Sequence, residues 1–111
     1  MQTIRIANTA DIPEGQMKGF TIEDKKVLVA NVGGKYYAID AVCSHIGGYL
    51  PSGKLQNNVV TCPKHGTQFD VKTGKVYKQL NVLYRVATMH NASDLNRYDV
   101  VVEGDDIKVQ I

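Results

Sequence analysis

Apolar and polar residues alternate with a period of two along much of the chain, the pattern of half-buried strands. Thr3-Ile4-Arg5-Ile6-Ala7 reads as a first strand and Gln16 to Ile22 as a second, with Asp11-Ile12-Pro13-Glu14-Gly15 placed to turn between them. The strongest signal follows. Lys26 to Val32 and Lys35 to Ala41 are rich in β-branched and aromatic residues and flank Gly33-Gly34, a pair able to take positive φ at both central positions of a hairpin. Turn formers then crowd together in Gly47-Gly48, Pro51-Ser52-Gly53 and Asn57-Asn58. Val59-Val60-Thr61 is a short strand, Val71 and Val76 flank a turn at Lys72-Thr73-Gly74-Lys75, and Tyr98 to Glu103 pairs with Asp106 to Ile111 around Gly104-Asp105. Lys78 to Asn96 breaks the pattern: it has no Pro or Gly, and Val82, Leu83, Val86 and Met89 or His90 recur at roughly helical spacing. A short helix and an extended arm both fit it. Repeats and low-complexity runs are absent, and the pattern predicts an all-β protein of short strands.

Composition narrows this to one domain spanning residues 1–111. A chain of 111 residues, 43% hydrophobic and 22% charged, supports a modest core and no second catalytic module. The net charge is +2 with lysines spread along the sequence, which argues against a nucleic-acid surface. The start, Met1-Gln2-Thr3-Ile4-Arg5-Ile6, lacks the features of an export signal, and no apolar run reaches membrane-spanning length. The expected compartment is the cytoplasm, with no membrane association.

Candidate chemistry is concentrated in two loops. Cys43-Ser44-His45 and Cys62-Pro63-Lys64-His65 contain both cysteines and two of the three histidines, written C-x-H, sixteen residues, then C-x-x-H. A disulfide would leave the neighbouring histidines unexplained and would be unusual in a cytosolic protein. Thiolate and imidazole donors in two close pairs instead suit a metal, either zinc or iron–sulfur. A zinc finger ordinarily pairs like with like, two cysteines and then two histidines, whereas each loop here supplies one of each.

That mixed arrangement resembles the Rieske proteins, whose [2Fe–2S] cluster has two thiolates on one iron and two imidazoles on the other. Cys43-Ser44-His45-Ile46-Gly47-Gly48 and Cys62-Pro63-Lys64-His65-Gly66-Thr67-Gln68-Phe69-Asp70 look like the two cluster-binding boxes, and Val71 to Val76 like the turn that follows. The resemblance implies a Rieske-like antiparallel β-sandwich with a small cluster-binding subdomain formed by loops at about 42–50 and 62–70. It implies Cys43, His45, Cys62 and His65 as the ligands, and a one-electron carrier between a reductase and a terminal oxygenase or other oxidoreductase. Such a carrier is not itself an enzyme. Two alternatives are a small subunit of a larger oxidoreductase, such as one acting on nitrite, and a structural zinc module. The oligomeric state, and the identities of donor and acceptor, are not specified by the sequence.

Departures from the family pattern refine the expectation. Respiratory Rieske centres have a disulfide between positions occupied here by Gly48 and Lys64, and hydroxyl donors where Thr67 and Phe69 stand. Phe69 has no proton to donate. Fewer donors to sulfur disfavour the reduced, more negative cluster, so the expected midpoint is roughly −150 mV, near the low end of the Rieske range. Lys78 to Asn96 is longer than the family's usual connection, and Tyr84, Arg85, Met89 and His90 within it are candidates for a docking or oligomer surface.

Overall fold

The computed structural model describes residues 2–43, 48–64, 66–78 and 93–111. Among the described residues, eleven strands build three antiparallel sheets: β1 (Thr3–Asn8), β2 (Met17–Ile22), β3 (Lys25–Val32), β4 (Lys35–Asp40), β5 (Lys54–Gln56), β6 (Val59–Thr61), β7 (Gln68–Asp70), β8 (Val76–Lys78), β9 (Arg97–Tyr98), β10 (Val100–Glu103) and β11 (Asp106–Gln110). The sheet orders are β1-β11-β10, β2-β3-β4-β9 and β5-β6-β7-β8.

The second sheet is the middle layer, and β3 shows why. Val27 and Val29 point to one face with Ala38 of β4, packing against Ala7, Ile107 and Val109 of the first sheet. Leu28 and Ala30 point to the other with Ile39, packing against Leu50, Val60, Phe69 and Val71. Alternate residues of one strand therefore feed two separate cores. A strand covered on both faces needs apolar residues at every position, and Val27 to Ala30 are all fully buried. The expected Gly33-Gly34 hairpin is present with φ of 62° and 88°, and the Asn31 side chain accepts the Gly34 N–H at 2.9 Å to fix it.

Four differences from the sequence reading have physical causes. Tyr98 to Glu103 is not one strand: Arg97–Tyr98 pairs with β4, and after Asp99 the chain crosses to the first sheet as β10. Alternation continues across the break, so the pattern hides the change of sheet. Gln68–Asp70 is strand β7, not loop, which ends the second ligand loop at Thr67. Lys54–Gln56 and Val76–Lys78 are also strands, each of three residues and too short to show a period. The helical spacing at Val82, Leu83, Val86, Met89 and His90 lies outside the described residues.

Strands β5 to β8 fall in sequence between β4 and β9, yet β4 and β9 are hydrogen-bonded neighbours through Ala38 with Tyr98 and Ile39 with Arg97. The subdomain with the two ligand loops is thus inserted into one edge of the middle sheet. Among the described residues, no helix is long and apolar enough to cross a membrane.

Candidate metal centre

The two loops are closed in the same way. The Cys43 N–H donates to the Gly48 carbonyl at 2.8 Å, and the Cys62 N–H donates to the Thr67 carbonyl at 2.8 Å. Each cysteine so bonds the residue five positions on and encloses four residues, among them one candidate histidine. The first loop is held at its base by the bridge between Val42 and Tyr49 and by the Leu50 N–H to the Ala41 carbonyl at 2.8 Å. The second grows directly out of the β6–β7 ladder.

Cys43 and Cys62 are each 2% exposed and lie in one core cluster with Ala41, Leu50, Val60, Phe69 and Val71. No disulfide joins them. Gly48 brings the loops together: a Cβ there would stand 2.5 Å from the Cys62 Sγ and 3.6 Å from the Lys64 Cγ. Only a residue without a side chain lets the first loop pass this close to the second cysteine. His45 and His65 lie outside the described residues, as do Ser44, Ile46 and Gly47.

Thr67 carries the observation that tests for a bound group. It is fully buried, and its Oγ1 has no hydrogen-bond partner among the described residues. Its backbone carbonyl is already committed to Cys62. A hydroxyl left unpaired in a core costs about 1–3 kcal/mol. A sulfur-containing cluster held by Cys62 would supply the acceptor, and buried thiols in two closed loops would supply soft anionic ligands. The residues fit an iron–sulfur group. Sequence alone does not orient this hydroxyl, because its placement follows from the Cys62–Thr67 backbone bond.

A second set of contacts fixes the ends of the insertion. The Tyr98 hydroxyl donates to Asp40 Oδ1 at 2.6 Å, the Asn96 N–H donates to Asp40 Oδ2 at 2.9 Å, and the Asp40 N–H donates to the Asn96 carbonyl at 3.0 Å. Burial, and then the bond to the Asp40 carboxylate, push the Tyr98 phenol up to about 12. On the other side of this segment the Val76 N–H donates to Asp94 Oδ1 at 2.8 Å, and the Leu95 N–H to the Gly74 carbonyl at 2.7 Å. Asp94-Leu95-Asn96 is a strap tying the β7–β8 turn to the end of β4, three residues before Cys43. Nothing in the alternation pattern marks these residues.

Comparison with known proteins identifies the family. The sequence profile of the Rieske [2Fe-2S] domain matches residues 2–90. The chain belongs to the Rieske [2Fe-2S] domain family. The ferredoxin component of biphenyl 2,3-dioxygenase from Rhodococcus jostii is 32% identical over 111 residues, covering 100% of this chain and 94% of that protein. The 3-phenylpropionate/cinnamic acid dioxygenase ferredoxin subunit of Shigella flexneri is 36% identical over 114 residues, covering 100% and 95%. Among solved structures, the ferredoxin of carbazole 1,9a-dioxygenase from Nocardioides aromaticivorans superposes with a TM-score of 0.83 at 29% identity, over 98% of this chain and 97% of that one. The Rieske domain carries a [2Fe–2S] cluster, and the structural zinc alternative falls away. The relatives are electron-carrier components and not catalytic subunits. This Rieske protein is likewise an electron-transfer protein.

Proposed function

We propose that this chain shuttles single electrons from a reductase to the terminal oxygenase of an aromatic-ring dioxygenase system, in the cytoplasm, as one domain over residues 1–111. Cys43 and Cys62 hold one iron of the cluster, and His45 and His65 hold the other. When bound, the cluster supplies a one-electron site whose neutral imidazole ligands make it easier to reduce than an all-thiolate cluster. The protein's part is to hold the two thiols in closed, dry loops and to aim the Thr67 hydroxyl at sulfur. Full-length likeness to dioxygenase ferredoxin components is the observation that carries this reading.

The test is spectroscopic and then functional. The purified protein is expected to be red-brown, to contain equal iron and acid-labile sulfide, and to bleach on reduction. Cys62→Ser and His65→Ala are expected to remove or alter that spectrum. With a flavin reductase and a ring-hydroxylating oxygenase present, product should form only when the holoprotein is added. A protein that binds zinc without sulfide, or a spectrum unchanged by both substitutions, overturns the ligand assignment.

A further inference from the structure

The lysines that look scattered along the sequence are gathered by the fold. Between Asp40 and Arg97 lie 56 residues with six cations, Lys54, Lys64, Lys72, Lys75, Lys78 and Arg85, and two acids, Asp70 and Asp94, for a net +4. The other 55 residues hold seven cations and nine acids, net −2. The ligand-loop insertion is therefore basic, and the sandwich it grows from is acidic.

Register places part of this charge on one rim. Lys54 pairs with Thr61, Thr61 with Gln68, and Gln68 with Lys78, so these four residues form one row across the third sheet. The neighbouring row, Leu55, Val60, Phe69 and Val76, faces the core, and the Gln68 Nε2 to Thr61 Oγ1 bond of 3.1 Å lies within the outer row. Thr61 adjoins Cys62 and Gln68 adjoins Thr67, so the row edges the second ligand loop. Lys64 is in that loop, with its stem against Gly48. Lys54, Lys64 and Lys78 are exposed, and no ion pair engages them among the described residues. Asp70 sits two residues along β7, its Oδ1 occupied by Asn58 Nδ2 at 3.2 Å and the Lys72 N–H at 2.9 Å. Beside Lys78 on the edge strand, Tyr77 is 65% exposed. On the side of the first loop, Asp24, Asp40 and Asp94 line a groove together with Lys25, Lys26 and Cys43 itself.

Resting on the carrier reading above, we infer that the cluster end docks an acidic protein face on the electron acceptor, with Lys54, Lys64 and Lys78 as the charged rim and Tyr77 as an aromatic anchor. Cations that edge the loop beginning at Cys62, with no ion pair among the described residues, attract an acidic partner and orient it with that loop inward, an effect on association rate that salt suppresses. An exposed tyrosine amid charge is the side chain that interface centres favour.

Two probes test the local field without a known partner. Reduced holoprotein passes one electron to cobalt(III), giving cobalt(II), from either the tris-oxalato trianion or the hexaammine trication. Oxidation by the trianion is expected to slow by about tenfold between low and high salt, and oxidation by the trication to quicken. The combined Lys54→Gln, Lys64→Gln and Lys78→Gln variant should flatten both slopes, and the Lys54→Gln and Lys78→Gln double variant, which leaves the candidate ligand loop intact, should flatten them in part with the visible spectrum unchanged. Carbodiimide coupling to poly-L-glutamate, read by mass spectrometry, should label Lys54, Lys64 and Lys78 ahead of Lys18, Lys25, Lys26 and Lys35. Even labelling, or salt slopes the triple variant does not change, overturns the inference. Tight binding of a duplex oligonucleotide at about 0.15 M salt, lost in the triple variant, would also overturn it by assigning the face to nucleic acid. A colourless protein would refute the carrier reading instead, and the coupling experiment does not depend on the cluster.

Discussion

A buried hydroxyl and a buried thiol make different demands, and Thr67 and Cys62 meet them together across one backbone bond. If the Thr67 hydroxyl donates to cluster sulfur, it favours the reduced form, whose sulfur is more negative. Thr67→Val is then expected to lower the midpoint by about 40 mV, the equivalent of about 1 kcal/mol for one electron, while Thr67→Ser stays near wild type. Protein-film voltammetry on the three proteins measures this. The wild-type midpoint is itself expected near −150 mV, because fully buried Phe69 offers sulfur no proton. A clearly positive midpoint would contradict that. Tyr98 gives a pH prediction. Its pKa is raised from 10.0 to about 12, so its neutral form is favoured by folding. That stability is fully present below pH 10 and is lost as pH rises toward 12. Ultraviolet titration should place the phenol well above 10, and Asp40→Asn should bring it down. The candidate ligands were legible as a motif because cysteine and histidine are rare and their spacing is short. Thr67 and Tyr98 were not, because their roles depend on partners 5 and 58 residues away in sequence.

At the scale of elements, the strap over Asp94-Leu95-Asn96 links the ligand subdomain to the middle sheet through single hydrogen bonds. Gly74 is where it is most exposed to mutation. Its φ is 79°, and a Cβ there would run into the Leu95 carbonyl oxygen. Gly74→Ala is expected to cost about 2–4 kcal/mol, from a left-handed backbone joined to a steric clash. A fall in Tm of about 10–20 °C follows for a domain of this size, and calorimetry of the holoprotein reads it. A variant as stable as wild type would mean that the strap does not hold there. Strands of five or more residues, β1 to β4 and β11, were readable because three alternations establish a period. Of the two- and three-residue strands β5 to β9, only β6 (Val59–Thr61) was readable, from its β-branched run; pairing with neighbours makes the others strands. The switch of sheets at Asp99 had no local signature, since the apolar alternation serves either sheet equally.

For the whole molecule, the opposed charges of the insertion and the sandwich were countable from the sequence, but their meaning was not. A net charge of +2 conceals a +4 insertion and a −2 remainder. Only strand register shows that Lys54 and Lys78, 24 residues apart, edge the same rim across β5 to β8.

The neighbouring positions of β4 and β9 also make the fold divisible. The chain leaves the sheet after Asp40 and returns at Arg97 one strand away, a gap that a tight turn can span. Closing the 56 residues between costs roughly 3–4 kcal/mol of chain entropy. The sandwich core of Val27, Val29, Ala38, Ile107 and Val109 takes nothing from that excursion. Replacing residues 41–95 by Asn-Gly keeps Asp40 opposite Asn96, and with Leu28→Thr and Ile39→Thr on the face that loses Leu50, Val60, Phe69 and Val71 it should therefore yield a smaller, colourless protein that still unfolds cooperatively. If the shortened chain is unfolded, the sandwich depends on its insertion. If it folds, this ferredoxin is a metal-free β-sandwich that acquired its redox chemistry by lengthening one hairpin.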